Sequence, residues 1–324
     1  MERAEAAFVV KFPERSFEAA FSDGVAGVSD DLMPAVLSFE ENLRAIVRIL
    51  TLPYQLSGAA VQQHRIDQLY RAEVIRSLDL NDPSRDDSPD TRAAARTKAL
   101  AAFKAELDTE QALMAFREQA IADLSTRLHL PEVTTAAADL LRQAASMTWT
   151  TLEVLFRDLV TAILNGHPSL VSLILQDERA RRILDLKRID TEVLVSHGFD
   201  LRGKVGTIIA SHNAFARLDT VRVVFGALCP SEVAVARMLD DRQLWLLVQQ
   251  RHLIVHRRGI VDVQYVENGG DARPLGSLLT LTPPEVVEQL ILAQRVGLGI
   301  ARGFSALVQQ THGQASTAQG EPEP

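Results

Sequence analysis

Cysteine is almost absent from this sequence, since Cys229 is the single example among 324 residues. A disulfide within one chain and a cysteine-based metal site are therefore excluded, and a reducing compartment such as the cytoplasm is expected. Aromatic residues are also scarce, at 5% of the chain, whereas alanine, leucine and valine are abundant. This balance favours helices over sheets.

Long apolar runs are missing as well. No stretch reaches the roughly 18 apolar residues needed to cross a bilayer, and the first residues lack the basic and apolar segments of a signal peptide. We therefore expect a cytoplasmic protein without membrane association. The formal net charge of -8 disfavours indiscriminate binding to polyanions. The acidic excess falls mainly in residues 1–130, however, so residues 131–312 are close to neutral.

The spacing of apolar residues predicts an all-α protein, with an N-terminal helical region before a C-terminal helical bundle. Caps, prolines and glycines bound predicted helices at 29–53, 57–80, 90–128, 131–166, 169–186, 230–258 (with a kink or new start at Asp240–Asp241) and 282–310. A polar linker is predicted at 81–89. Two short segments, 8–12 and 204–209, have a β-like composition, although the second also fits a loop.

Three parts of the chain are expected from this pattern. Residues 1–130 form a helical region whose role the sequence does not indicate. Residues 131–310 form the second helical domain. Residues 311–324 are polar and contain glycine and proline, which predicts a disordered tail.

The segment 249–262 combines apolar helix periodicity with a dense set of cationic and titratable side chains. The helix that contains it is apolar over most of its circumference, which predicts a central place in a bundle or in a subunit interface. Its last turns carry five such side chains: Arg251, His252, His256, Arg257 and Arg258. Gly259 is expected to end the helix.

Two general interpretations of this cluster stay open. The first is structural, because cationic side chains in the last turn of a helix stabilise its C-terminal dipole. The second is a zinc site, because His252 and His256 have the i, i+4 spacing of two helix-borne ligands. Leu253 stands where the metalloprotease motif requires glutamate, and the neighbouring arginines would oppose a dication.

A third interpretation is more specific. Arg251, the polar residue after it, and His256 followed by a glycine form a pattern that closely resembles the R-x4-H signature of the HEPN superfamily. The surrounding order is also similar to that family: the acid-bearing segment Leu152–Phe156 precedes the motif, and a loop with Tyr265 and a glycine-rich turn follow it. A final helix begins at Thr282, which forms a predicted capping box with Glu285. The resemblance covers residues 131–310 and does not extend to residues 1–130.

The resemblance implies a metal-independent endoribonuclease that needs no cofactor. It implies RNA as the substrate, a homodimer whose active site forms where two motifs meet, and a toxin or antiviral defence effector with an antitoxin or second defence component as partner. His256 would be the general base or acid, and Arg251 would stabilise the phosphate and the transition state. These two residues lie about 140° apart round a helix, and a two-fold axis removes that mismatch by supplying each of them twice.

The other residues of the motif have two interpretations each. His252 either orients the site and contacts phosphate, or is a surface hydrogen bonder. Arg257 and Arg258 either bind RNA phosphates or stabilise the helix dipole. Glu153 either supports the site or pairs with Arg157 on the helix surface.

Trp149 and Trp245 lie in apolar helical runs and are expected in the core. The alternative to an enzyme is a non-catalytic HEPN-like protein that binds RNA or a nucleotide, or a helical interaction protein.

Overall fold

The computed structural model of the protein describes residues 14–77, 88–185, 191–211, 214–269 and 273–318. Within these ranges the chain forms fourteen α-helices and no strand, and the one isolated β-bridge joins Ile260 and Leu278 in antiparallel sense. The predicted all-α class is confirmed. The predicted strand at 8–12 and most of the predicted linker at 81–89 lie outside the described residues.

The helices are numbered here in chain order. They are α1 Glu14–Gly24, α2 Met33–Ser77, α3 Pro89–Glu106, α4 Glu110–Arg127, α5 Pro131–Gly166, α6 Val171–Gln176, α7 Glu178–Ile183, α8 Thr191–Ser196, α9 Val205–Ala210, α10 Leu218–Leu228, α11 Val233–Leu239, α12 Arg242–Arg257, α13 Val263–Gly269 and α14 Pro283–Ala318. Short 3-10 turns lie at Pro168–Leu170 and Ala214–Ala216.

Pro53 does not end a helix as predicted, since it lies inside α2. Leu50, Ser57 and Val61 are buried on either side of it. Tertiary packing therefore holds the helix together across the one hydrogen bond that a proline cannot make. The prediction was wrong because the proline rule describes an isolated helix.

Two other predictions of secondary structure also need correction. The helix predicted over 90–128 is divided between α3 and α4, because the Thr109 hydroxyl accepts a hydrogen bond from the Ala112 N–H (3.2 Å) and starts a new helix. The β-like segment 204–209 forms most of α9, where Gly206 allows close packing: a Cβ there would lie 2.3 Å from the Thr161 carbonyl oxygen. Tertiary packing overrides the β propensity of this segment.

The chain folds as two compact units. Among the described residues, the first comprises Leu50 to Ala138, and the second comprises the residues up to Ile49 together with those from Asp139 onward. The predicted boundary after residue 130 therefore differs from the observed one, which falls inside α5. The predicted N-terminal region is also split, because its first helices pack with the C-terminal half through contacts that their sequence alone does not indicate.

The first unit is held by packing of α2 against α3 and α4. The Ser57 hydroxyl is buried and lies 2.7 Å from the Ala120 carbonyl oxygen and 2.8 Å from Asp123 Oδ2. Arg65 of α2 forms two hydrogen bonds to the Glu106 carboxylate, at 2.9 and 2.6 Å.

The second unit is built around α14. Thr282 and Glu285 form the predicted capping box at its start, with the Thr282 N–H donating to Glu285 Oε2 (2.6 Å) and the Glu285 N–H donating to Thr282 Oγ1 (3.4 Å). The helix continues to Ala318, so residues 311–318 belong to it and not to a disordered tail; residues 319–324 lie outside the described part.

The section Pro283–Thr311 of α14 is long and apolar enough to cross a membrane by length and composition, and 72% of its most apolar stretch is buried inside the protein. Helix α5 with the bent segment after it, at 112°, passes the same test only as a pair. Gly297 brings α14 close to its neighbours, since a Cβ there would lie 2.6 Å from Phe39 and 2.8 Å from Leu155. Helix α14 is therefore a core helix of its unit.

Candidate functional site

Helix α12 carries the Arg-His motif and begins where the sequence indicated a new start. The Asp241 carboxylate accepts a hydrogen bond from the Gln243 N–H at 2.8 Å and caps the helix. One face is buried, and on it Gln250 accepts a hydrogen bond from Gln289 Nε2 of α14 at 2.7 Å. His252, Val255 and His256 are exposed, so the helix is not buried on all sides within its own chain, and the predicted alternative of a subunit interface stays a prediction.

The end of α12 is fixed by a left-handed turn. Arg257 is its last residue, Arg258 adopts φ 54°, and Gly259 follows with φ 78°. The Gly259 N–H donates to the Leu253 carbonyl at 3.0 Å, and the Gly259 carbonyl accepts from the Leu279 N–H at 2.7 Å. The predicted end of the helix is at Gly259, and the left-handed turn begins one residue earlier, at Arg258.

Arg142 of α5 supports this turn, and sequence reasoning missed it. Its side chain is 6% exposed, pairs with Asp139, and donates from Nη1 to the Leu279 carbonyl oxygen at 3.1 Å. A Cβ at Gly259 would lie 3.2 Å from its Cδ. One feature of the sequence could have indicated this role: Arg142 stands alone in an apolar run of a long helix. A cation buried there requires partners from other parts of the chain.

Glu153 of α5 faces Arg251 of α12. The two charged groups approach to 4.0 Å between Glu153 Oε2 and Arg251 Nη2, with side chains 21% and 25% exposed. Arg157 lies instead beside Asp158, at 3.5 Å, so the predicted alternative of a Glu153–Arg157 pair is wrong. Neither Glu153 Oε2 nor Arg251 Nε has a hydrogen-bond partner among the described residues.

His252 and His256 lie beside each other on the exposed side of α12. Their ring centroids are 4.6 Å apart, with an angle of 51° between the ring planes. Burial lowers the pKa of His252 below its ordinary value, and the charges of His256, Arg251 and Arg257 lower it further against an opposing effect of Asp262. A neutral imidazole at physiological pH is able to accept a proton.

The two arginines at the end of the motif differ in their surroundings. Arg257 lies 3.5 Å from Asp262, which also caps α13 by accepting a hydrogen bond from the Tyr265 N–H at 2.8 Å. Arg258 is exposed at the left-handed position. Tyr265 is not in a loop as predicted, since it is buried in α13, where its hydroxyl accepts a hydrogen bond from Arg273 at 3.2 Å.

A cavity of about 290 Å³ opens beside the motif, and we call it the tryptophan cavity. Its lining includes both tryptophans of the chain together with Arg251 and His252. Trp149 is 2% exposed, as predicted for a core residue. Trp245 is only half-buried, so its predicted place in the core is correct in part. His256 does not line this cavity.

The structure bears on two other candidate chemistries. Within the described ranges, no group of three or more histidine, cysteine or acidic side chains is placed to hold a metal ion. Burial raises the pKa of Cys229 to about 12, with a further contribution from Glu232, so its thiol is protonated at neutral pH and is not a nucleophile.

Comparisons with protein-family models, with curated proteins and with solved structures found no match to this chain.

Proposed function

We propose that the protein is a metal-independent endoribonuclease of HEPN type. The observation that carries the proposal is the arrangement of the R-x4-H residues: Arg251 lies 4.0 Å from Glu153, and His256 is exposed one turn beyond His252 on the same helix. A cation beside an acid, together with exposed imidazoles, supplies the groups that RNA cleavage by its own 2′-hydroxyl uses.

Each residue has a defined role in this reaction. His256 takes the proton from the 2′-hydroxyl or gives a proton to the departing 5′ oxygen. Arg251 binds the oxygens of the phosphate as negative charge builds on them. His252, whose pKa is lowered, orients the site or contacts the phosphate. Arg257 and Arg258 attract the flanking phosphates of the RNA.

One motif supplies one His256, whereas the reaction uses both an acid and a base. We propose that two copies of α12 meet across a two-fold axis, so that each copy contributes one histidine. The exposed apolar side chains of Val255, Ile260 and Val263 lie on and just beyond the motif and support an interface there. An RNA-cleaving dimer of this kind suits a cytoplasmic toxin or antiviral defence effector that is restrained by an antitoxin or second component.

The direct experiment is cleavage of a mixed RNA substrate by purified protein in excess EDTA. We expect the wild type to cleave and both His256→Ala and Arg251→Ala to lose cleavage. His64→Ala is the matched control, because His64 is another exposed histidine on a helix, and it should cleave like the wild type.

The same experiment separates the alternatives. RNA binding without cleavage, lost in Arg251→Ala, would show a non-catalytic RNA-binding protein. A protein that ignores RNA, and whose variants change only stability or association, would be a helical interaction protein with a structural ion cluster.

A further inference from the structure

The tryptophan cavity adjoins the proposed catalytic motif and shares Arg251 and His252 with it. Arg251 and His252 line the cavity, so a phosphate held by Arg251 would have its attached nucleoside within reach of it. We infer that this cavity binds one nucleobase of the RNA next to the cleaved phosphate. The inference rests on the proposed ribonuclease function and names a recognition site that the R-x4-H motif does not include.

Two residues of the lining carry buried donors that no described residue satisfies, which favours a ligand with hydrogen-bond acceptors. Trp149 is 2% exposed, and its indole N–H has no acceptor among the described residues. The Nε–H of Arg251 is also buried and has no hydrogen-bond acceptor among the described residues. Buried donors normally have partners, and every nucleobase presents carbonyl oxygens or ring nitrogens at its edge.

The second tryptophan offers a stacking surface whose orientation is already fixed. The Trp245 indole N–H donates to the Asn268 carbonyl at 3.0 Å, and the Arg222 guanidinium lies over its ring, 5.8 Å from the centroid. Arg222 does not line the cavity, whereas Trp245 does. A base that stacks on an immobilised aromatic ring loses little further conformational entropy in the protein.

The size of the cavity limits the ligand. Its volume of about 290 Å³ lies just below the roughly 300–1,000 Å³ found for small-molecule sites. That volume suits one ring system and its sugar, and not a stack of several bases. The lining also carries Asp219 and Asn268, whose carboxylate and amide groups accept hydrogen bonds from the amino groups of a base.

The chain itself contains the probe for this site, because its only two tryptophans both line the cavity. We would titrate the His256→Ala protein in EDTA with each of the four nucleoside 5′-monophosphates, exciting tryptophan at the red edge of its absorption where nucleotides do not absorb. At least one nucleotide should change the fluorescence saturably, and ribose 5-phosphate, which has no base, should not. No response to any nucleotide, or an equal response to ribose 5-phosphate, would overturn the inference.

Variants of Trp245 test the stacking step. Trp245→Leu should weaken nucleotide binding by about tenfold or more, and Trp245→Phe, which keeps a ring, should recover most of it. Trp149 remains as the fluorophore in both. Circular dichroism confirms that the fold is retained. Wild-type affinity in Trp245→Leu with an intact fold would contradict the inference.

The outcomes distinguish a failure of the base site from a failure of the ribonuclease proposal. Nucleotide binding without RNA cleavage in EDTA would support a base-binding cavity and contradict the ribonuclease proposal. Cleavage with no nucleotide response, and with no shift in the cleaved positions in Trp245→Leu, would retain the enzyme and reject the base site.

Discussion

Glu153 and Arg251, on helices far apart in sequence, face each other at 4.0 Å inside the second unit, and the Glu153 Oε2 and Arg251 Nε atoms form no hydrogen bond to the described residues. This approach brings opposite charges together without using up the guanidinium donors. We propose that this attraction orients Arg251 for the phosphate and that Glu153 is a positioning residue that acts through Arg251.

Replacement of Glu153 by glutamine should lower RNA cleavage by about 10- to 100-fold, because Arg251 loses the charge that orients it. Steady-state cleavage in EDTA measures the effect, and the loss should appear mainly in kcat if Arg251 acts in the transition state. Asp158→Asn is the control, since Asp158 pairs with Arg157 elsewhere on α5 and should leave the rate unchanged. Equal rates in both variants would refute the role of Glu153.

The free energy of unfolding should depend on pH through His252. Its pKa is lowered in the folded protein, so the folded state takes up this proton less readily than the unfolded state. The resulting stability is present above the ordinary pKa of about 6.5 and is lost as pH falls through the lower, folded-state pKa. His252→Gln removes this loss, so wild type should weaken relative to the variant between about pH 7.5 and about pH 5. Urea unfolding of both proteins at both pH values measures the effect. A difference in unfolding free energy between wild type and variant that does not change with pH would contradict the prediction.

The turn after the motif should be more sensitive to an added methyl group than a comparable turn elsewhere. Gly259→Ala and Gly276→Ala both place alanine at positive φ, 78° and 77°, which costs about 1 kcal/mol in each case. At Gly259 the new Cβ would also lie 3.2 Å from Arg142 Cδ, whereas nothing lies within 4 Å at Gly276. The excess loss of unfolding free energy at Gly259, about 1 kcal/mol, reports that contact. Equal losses of unfolding free energy in the two variants, measured by urea denaturation, would show that the Arg142 side chain moves aside without cost.

A charge placed on the exposed side of α12 should separate the proposed dimer. Val255 is 52% exposed between the two histidines, and Val233 of α11 is 54% exposed. Val255→Arg should shift the sedimenting species to the monomer and abolish cleavage, whereas Val233→Arg should do neither. An active monomer, or a Val255→Arg protein that stays dimeric and active, would remove the composite site from the account.

The sequence predicted features whose cause is local. The capping box Thr282–Glu285 and the helix start at Asp241 both depend on side chains that bond to the backbone within three residues. The capping box is confirmed, and of the kink or new start predicted at Asp240–Asp241 the structure has the new start. The same local reasoning failed at Pro53 and at segment 204–209, because packing against distant residues decides both.

The candidate site divides in the same way. The residues of α12 are neighbours in sequence, so their grouping could be read directly. The approach of Glu153 to Arg251, the buried Arg142 behind the turn and the cavity shared by Trp149 and Trp245 each join separate helices. No spacing rule relates such residues, so only the folded chain brings them together.

The most direct test of the central claim is the requirement for the 2′-hydroxyl. After mapping a cleavage position in EDTA, an oligonucleotide with one 2′-deoxynucleotide at that position is compared with the all-RNA parent. The account predicts that the parent is cut to a 2′,3′-cyclic phosphate and a 5′-hydroxyl end by wild type and not by His256→Ala, and that the deoxy-substituted strand resists cleavage. Cleavage of the substituted strand at the same position, or cleavage that requires a divalent metal, would contradict it.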